Sequence, residues 1–204
     1  MEIINYLLEP YSQSSLQDIL LELVATVFGI ASVIYAKKEK IAVFPTGIIS
    51  TSIYVYVCWV FQLYGDFIIN IYYTLMSIYG WYLWANPNTS EELHVTHASK
   101  KDWFKSGLIF LSTAILVVTV YKYYDRFDRF TDYADTVTTG VFFAAMWLMA
   151  NKKIEHWLLW IVANSISIPL YLVKGLGFTS LQYLIFLILA IQGWYEWKKN
   201  LRVS

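Results

Sequence analysis

The stretch IYGWYLW at residues 78–84 returns as IQGWYEW at residues 191–197, with only two of the seven residues changed. Shifting the chain along itself by 113 positions aligns residues 22–84 with residues 135–197 without a gap. The identical pairs include Lys40 with Lys153, Ile41 with Ile154, Ser52 with Ser165 and Gly80 with Gly193. The contiguous GWY in both copies argues against a chance match between apolar segments. The repeat therefore predicts two copies of one structural unit.

The composition is that of a membrane protein. Hydrophobic residues make up 58% of the 204 residues, charged residues only 15%, and the mean hydropathy is +0.48. A soluble domain of this size could not bury so much apolar surface, which indicates a polytopic membrane protein. The formal net charge of zero argues against a nucleic-acid partner. The single cysteine, Cys58, excludes a disulfide framework.

Seven segments approach the length of about 20 mostly apolar residues that a spanning helix needs. They cover residues 19–36, 41–63, 67–84, 107–123, 136–149, 157–173 and 179–197, and the fifth is expected to begin nearer residue 132. The predicted fold is therefore an all-α membrane domain of seven transmembrane helices, spanning residues 1–204. Short loops indicate that helices adjacent in sequence are antiparallel neighbours in the bilayer.

The number of helices in each copy predicts how the copies are related. Three helices reverse the chain direction three times, so a second copy joined directly would be inverted in the membrane. A linker helix at about 107–123 restores the direction between a first repeat at about 19–84 and a second at about 132–197. This 3+1+3 plan gives two parallel three-helix repeats. Transporters use such repeats, with the substrate site near the middle of the membrane between them.

Lysine and arginine in the loops predict the orientation, because cytoplasmic loops carry the excess of basic residues. With the N-terminus outside, eleven basic residues lie inside and four lie outside. The inner set is Lys37, Lys38, Lys40, Lys100, Lys101, Lys105, Lys152, Lys153, Lys198, Lys199 and Arg202, and the outer set is Lys122, Arg126, Arg129 and Lys174. We therefore expect an external N-terminus and a cytoplasmic C-terminus.

One stripe of the sixth helix is the principal candidate for a binding site. Trp157, Trp160, Asn164, Ser167 and Tyr171 are spaced at i, i+3, i+7, i+10 and i+14, which places them on one helix face. At about 1.5 Å per residue, the asparagine lies on the order of 10 Å inside the first tryptophan. A carboxamide at that depth is costly unless it faces protein, water or a ligand. Two indoles followed by a carboxamide suit a flat ring with a polar edge.

Further polar candidates lie on the third and seventh helices. They are Asn70, Tyr73, Gln182 and Gln192, and the repeat pairs Asn70 with Tyr183, beside Gln182. Each amide could instead hydrogen-bond a neighbouring helix. Trp157 could belong to the interfacial belt of tryptophans. For Trp81, Trp84, Trp194 and Trp197, at the inner ends of the third and seventh helices, a belt or packing role is expected.

The polar residues that the spans lack also carry information. The apolar segments contain no central lysine, arginine or carboxylate; Lys122 and Glu22 lie near outer ends, and Asp132 and Asp135 are expected to precede the fifth helix. This pattern favours facilitated diffusion over ion-coupled transport. The HVTH motif of His94 and His97 is expected to be a solvated loop rather than a metal site. No catalytic set lies within the spans, so we expect neither an enzyme nor a cofactor.

The motifs GWYLW and GWYEW, VFPTGIISTSIY at residues 43–54 and NKKIEHWLLWIVANSISIPLY at residues 151–171 resemble the PnuC family of bacterial vitamin transporters. The sugar facilitators called SWEETs share the 3+1+3 plan, but these motifs favour the first family. The likeness covers residues 22–197, and the family's W-x-x-W motif falls on Trp157 and Trp160, with a polar residue four positions later at Asn164.

The resemblance implies uptake of nicotinamide riboside down its gradient across the bacterial inner membrane, followed by trapping through cytoplasmic phosphorylation. It also implies a homotrimer, a small-molecule vitamin substrate and the lipid bilayer as surroundings. Relatives that carry thiamine or riboflavin leave the identity of the vitamin open, with thiamine as the alternative. A seven-helix receptor and a membrane enzyme remain competing classes of function, distinguishable by flux or product formation.

Overall fold

Seven helices make up most of the residues that the structure describes. The structure is a computed structural model that describes residues 16–60, 64–86, 93–123, 127–175 and 177–201. The helices are α1 Leu16–Lys37, α2 Val43–Val60, α3 Tyr64–Ala85, α4 Lys100–Tyr123, α5 Phe130–Ala150, α6 His156–Val173 and α7 Gly177–Lys199. Over these ranges the fold is all-α, and the β-type pairing present is an isolated bridge between Thr96 and Lys153. The predicted end of the second span at Leu63, and the basic residues Arg126 and Arg202, lie outside the described residues.

The helix bounds follow the predicted segments, except at the start of α4; α5 begins at Phe130, close to the start expected near residue 132. The sequence placed the fourth segment from residue 107, but α4 begins at Lys100, where Ser99 and Asp102 form a capping box: the Ser99 amide donates to the Asp102 carboxylate at 2.9 Å. The expectation that Asp132 and Asp135 precede the fifth helix was wrong, since α5 begins at Phe130. The first turns of α4 and α5 contain polar residues, so a prediction based on runs of apolar residues placed both helix starts too late.

Six of the helices form a closed ring. Consecutive helices pack together within α1–α3 and within α5–α7, and the halves meet where α3 contacts α5 and where α7 contacts α1. The helix α4 packs on the outside of the ring, against α5. We call the end of the bundle that holds the N-termini of α1, α3, α5 and α7 the amino end, and the opposite end the carboxyl end.

Hydropathy separates the helices into two groups. Among the described helices, α1, α2, α4 and α6 are long and apolar enough to cross a membrane by length and composition. The other three helices line the interior of the ring with polar residues: Asp66, Asn70 and Ser77 on α3, Asp135, Thr138 and Thr139 on α5, and Thr179 and Gln182 on α7. Polar groups are costly at a lipid-facing surface, so helices that carry them are expected to face the bundle interior.

The same backbone turn follows α1 and α5, at positions 113 apart. Glu39 and Lys152 both adopt the left-handed conformation, with φ of 52° and 50°. In each turn the amide of the next residue donates to the carbonyl five positions earlier, at 2.9 Å. A salt bridge of 3.7 Å joins the two turns through the same Glu39 and Lys152. The aligned segments therefore share local geometry at the carboxyl end as well as sequence.

A large ring rests on a glycine at the carboxyl end of each half. The ring of Phe44, at the start of α2, covers Gly80 of α3, and the indole of Trp157, at the start of α6, covers Gly193 of α7. A Cβ atom added to Gly193 would lie 2.5 Å from Cζ2 of Trp157, well inside van der Waals contact. Only glycine lets each ring lie flat against the helix, which accounts for the glycine in both copies of the GWY motif.

The second tryptophan of each GWYxW motif bonds across to the other half. Trp84 of α3 donates its indole N–H to the carbonyl of Ala150, the last residue of α5, at 3.1 Å. Trp197 of α7 donates in the same way to Ala36 in the last turn of α1, at 2.8 Å. Of the two predicted roles, belt and packing, these contacts favour packing for both residues.

Adding a methyl group at Gly193 is expected to destabilise the protein. The indole of Trp157 must move to admit the methyl group of Gly193→Ala, and overpacking of this kind costs about 1–3 kcal/mol. Gly107→Ala is the matched control, because nothing lies within 4 Å of the added Cβ and alanine favours a helix over glycine by about 1 kcal/mol. Apparent melting temperatures in detergent should fall for the first variant only. Equal values for the two variants would contradict the packing described.

Candidate ligand-binding cavity

A cavity of about 520 Å³ occupies the interior of the six-helix ring. All six ring helices contribute side chains to its lining, whereas no residue of α4 does so. A volume of this size is typical of a site for a small molecule. The cavity lies between the two halves of the chain, where a parallel-repeat transporter is expected to bind its substrate.

The predicted stripe of α6 faces this cavity along its whole length. Trp157, Trp160, Asn164, Ser167 and Tyr171 all line it. Trp157 is only 2% exposed, because its ring is held between Gly193 and Trp197. Its face therefore serves packing, and Trp160 is the tryptophan whose ring is available to a ligand.

Aromatic rings cluster around Trp160. The ring centroids of Phe142 and Tyr73 lie 5.1 Å and 6.4 Å from it, and Tyr183 stacks on Phe142 at 5.9 Å. We call these four residues, which all line the cavity, the aromatic wall. The wall offers several ring faces to a planar ligand, with the geometry that favours offset or edge-on stacking.

Three buried polar atoms in the cavity lining have no hydrogen-bonding partner within the described residues. They are Oδ1 of Asn164, Oγ of Ser167 and Nε1 of Trp157. Asn164 is 1% exposed and Ser167 is fully buried. Native proteins satisfy nearly all buried polar groups, so each exception requires an explanation. A donor and acceptors left unpaired in one cavity are typical of a site that completes its hydrogen bonds with a ligand.

The opposite side of the cavity is small and rich in hydroxyl groups. A Cβ added to Gly47 would meet the hydroxyls of Ser32 and Ser77 at 3.1 Å and 3.3 Å, and one added to Gly29 would meet that of Ser50 at 3.0 Å. These five residues of α1–α3 line the cavity, and we call them the hydroxyl wall. The two glycines let these hydroxyls approach closely, and a larger residue at either position would press against the serines.

The lining residues come in pairs 113 positions apart, and thirteen such pairs account for most of the lining. Three pairs that differ in side chain are Gly29 with Phe142, Gly47 with Trp160 and Thr51 with Asn164. The backbone positions around the cavity thus correspond between the halves, although the side chains differ. At these three positions the second half supplies two aromatic rings and a carboxamide, and the first half supplies two glycines and a hydroxyl.

Six of the seven residues predicted to form the site line the cavity. They are Trp157, Trp160, Asn164, Gln182, Asn70 and Tyr73. The seventh, Gln192, is absent from the lining; its exposed side chain accepts a hydrogen bond from Lys37 at 2.8 Å. The amide of Asn70 donates to the carbonyl of Asp66 one turn earlier, at 2.8 Å, so part of its hydrogen-bonding capacity is used within its own helix.

Sequence reasoning missed Phe142 and the hydroxyl wall. Phe142 lies in an apolar run of buried residues, and nothing in the sequence distinguishes it from its neighbours. The repeat register could have found Thr51 and Tyr54, because they pair with Asn164 and Ser167 and also line the cavity.

Three carboxylates were also missed as lining residues. Glu22, Asp66 and Asp135 line the cavity near its amino end, in the first two turns of α1, α3 and α5. Asp135 forms an ion pair with Lys174 at the end of α6, and Tyr121 donates a hydrogen bond to the same carboxylate at 3.0 Å. The described charged side chains of the lining thus lie near its amino end, which is acidic.

Comparison with known proteins places these features in a family. The family model described as "Nicotinamide mononucleotide transporter" matches residues 19–199. The nicotinamide riboside transporter PnuC of Escherichia coli K12 is 25% identical, over 89% of this chain and 86% of that protein. The transporter of the same name from Neisseria mucosa is 30% identical, over 86% of this chain and 71% of that protein.

A solved structure supports the same assignment. The crystal structure of the vitamin B3 transporter PnuC superposes with a TM-score of 0.65 at 27% identity, covering 97% of this chain and 86% of that one. The shared fold extends over the six-helix ring and α4, so the cavity belongs to the part of the chain that is similar. The family comprises transporters, not enzymes. The chain is a multi-pass membrane protein and belongs to the nicotinamide mononucleotide transporter family.

Proposed function

We propose that this protein transports nicotinamide riboside across the bacterial inner membrane. Relatives named as nicotinamide riboside transporters and the similar structure of a vitamin B3 transporter support this function. The observation that carries it is the unpaired, buried Oδ1 of Asn164 beside the aromatic wall. Nicotinamide is a flat aromatic ring with one carboxamide, and that group donates the hydrogen bonds that the oxygen of Asn164 lacks.

The two walls suggest the orientation of the nucleoside. The pyridine ring stacks on Trp160 of the aromatic wall, with its carboxamide toward Asn164 and Ser167. The ribose then faces the hydroxyl wall. The hydroxyls of Ser32 and Ser50 donate to the backbone carbonyls of Val43 and Ala25, so they can accept hydrogen bonds from the ribose hydroxyls. The pairing of dissimilar walls suits a ligand whose two ends differ in chemistry.

The charge of the lining favours the nucleoside over the nucleotide named in the description of the family. No lysine or arginine lines the cavity in the described part of the chain. A phosphate would therefore enter without a cationic partner, and an unpaired ion in a low-dielectric site costs several kcal/mol. The names of the relatives, which specify the riboside, agree with this reading.

The architecture supports transport by alternating access. The paired lining positions suggest that the halves are duplicated three-helix units joined by α4, which can rock about a cavity between them. The excess of basic residues at the carboxyl end supports an external N-terminus and a cytoplasmic C-terminus. We propose movement down the substrate gradient with trapping by cytoplasmic phosphorylation. The homotrimer implied by the resemblance stays a prediction.

Trp160→Ala is expected to weaken nicotinamide riboside binding by about five- to a hundred-fold. Loss of one stacking partner costs about 1–3 kcal/mol, judged from base–aromatic stacking. Trp81→Ala is the control, because that side chain is 42% exposed and is not part of the cavity lining. Calorimetric titration of both purified variants provides the measurement. Equal losses of affinity in the two would show that the cavity stripe does not bind the base.

Asn164→Leu is expected to reduce binding about ten-fold or more without loss of stability. Its oxygen has no partner within the described residues, and an unsatisfied buried acceptor costs about 1–3 kcal/mol, which leucine relieves. Asn151→Leu should instead lower the stability and leave the affinity for nicotinamide riboside unchanged, because the amide of Asn151 donates to the carbonyl of Trp147 at 2.8 Å. If Asn164→Leu lowers the melting temperature and leaves the affinity for nicotinamide riboside unchanged, Asn164 stabilises the packing of the helices and does not bind the ligand.

Uptake should be limited to the dephosphorylated nucleoside and should not respond to ion gradients. We expect proteoliposomes to equilibrate nicotinamide riboside with or without an imposed proton or sodium gradient. Its 5′-phosphate should bind at least about a hundred-fold more weakly. Concentrative uptake driven by either gradient, or comparable affinity for the phosphate, would overturn this mechanism. Saturable binding without flux would indicate a receptor.

A further inference from the structure

We propose that Glu22, Asp66 and Asp135 form an electrostatic filter that favours a permanently cationic aromatic nucleoside over a neutral one of the same shape. The inference rests on the proposed function, because it concerns the same cavity. Its chemical target is the pyridinium ring of an N-glycosylated nicotinamide, which carries one positive charge whatever the pH.

The three carboxylates converge from different helices. Each lies in the first two turns of its helix, on α1, α3 and α5, and each lines the cavity. Glu22 and Asp135 occupy equivalent positions, 113 residues apart, so both halves place a carboxylate at the same level. The partner position of Asp66 is Thr179, which also lines the cavity. The acidic end is therefore a property of both halves.

The described charged side chains in the lining of this cavity are all acidic: they are these three carboxylates. Lys174, which pairs with Asp135, lies beside the lining. Arg129, which pairs with Asp132, and Lys122 lie at the same end of the bundle but outside the lining. At an effective dielectric constant of about 20, a charge about 10 Å away still contributes more than the thermal energy. A cation entering from the amino end is therefore attracted, and an anion is repelled.

Helix capping alone does not account for these carboxylates. Acidic residues in a first helical turn are stabilised by the helix dipole, and Asp132 shows that structural role. Its carboxylate accepts the backbone N–H of Arg129 at 2.9 Å, and it is 5% exposed. It is not part of the cavity lining. By contrast, Asp66 lines both this cavity and a smaller one beside the Lys174–Asp135 pair.

The rest of the cavity also suits a cation. Ring faces carry the negative part of the aromatic quadrupole, so Trp160, Tyr73 and Phe142 attract a positively charged ring. The unpaired and nearly fully buried oxygen atoms of Asn164 and Ser167 are acceptors in the same space. Carboxylates, ring faces and acceptor oxygens thus select for the same sign of charge. Thiamine, whose thiazolium ring is cationic, meets this criterion, whereas neutral riboflavin does not.

Reduced nicotinamide riboside provides the test, because it has the same heavy atoms as the oxidised form but no charge on its ring. Equilibrium binding of both forms to the purified full-length protein should show tighter binding of the oxidised form. Asp66→Asn and Glu22→Gln should each weaken binding of the oxidised form by roughly five- to twenty-fold and change the reduced form less than about two-fold. For the wild-type protein, raising the salt concentration should reduce the difference in affinity between the oxidised and the reduced form.

Asp128→Asn is the matched control. Asp128 lies at the same end of the bundle and is exposed, and it does not line the cavity. The control should keep the wild-type ratio of the two affinities. An unchanged ratio in Asp66→Asn and Glu22→Gln, or equal loss of both forms, overturns the filter while nicotinamide riboside binding by the wild type still supports the proposed function. If the wild type binds neither form, the proposed function itself fails.

Discussion

The contact between Trp157 and Gly193 determines how the second half of the protein is assembled. The indole lies where a Cβ would otherwise stand, which fixes both the distance between α6 and α7 and the rotation of α6 about its axis. Residues three and seven positions further along that helix then share its face, so Trp160 and Asn164 must point into the ring of helices. The contact of Phe44 with Gly80 places α2 against α3 in the same way. Packing at one end of the bundle thus positions the cavity lining.

The cavity combines a common backbone with different side chains. Corresponding positions carry Gly47 and Trp160, or Thr51 and Asn164, so the halves agree in shape but not in what they offer a ligand. A nucleoside has no twofold symmetry, since its base and its sugar need different surroundings. Divergence at a few lining positions meets that need without disturbing the packing that holds the helices together. The repeated GWYxW motif, which lies outside the cavity lining, is nearly the same in both halves.

The sequence predicts most of the fold and part of the candidate site. Hydropathy and the repeat predicted the seven helices, and the spacing on α6 predicted a stripe whose residues share one helix face. Such a stripe depends on a single helix, which is why periodicity could find it. The opposing residues come from other helices, so their convergence on the cavity depends on tertiary packing that spacing does not encode. Gln192 shows the limit, since its depth suggested a site but its helix turns it toward Lys37.

The crossed indole bonds hold both contacts between the halves at the carboxyl end. Trp84 of α3 bonds to Ala150 of α5, and Trp197 of α7 bonds to Ala36 of α1, so complete separation of the halves at this end breaks both bonds. Each such bond contributes about 1 kcal/mol net, and two of them reduce the population open at this end about thirty-fold. Both bonds therefore favour the form in which the halves are joined at that end. Any movement that separates the halves there must offset this difference in free energy.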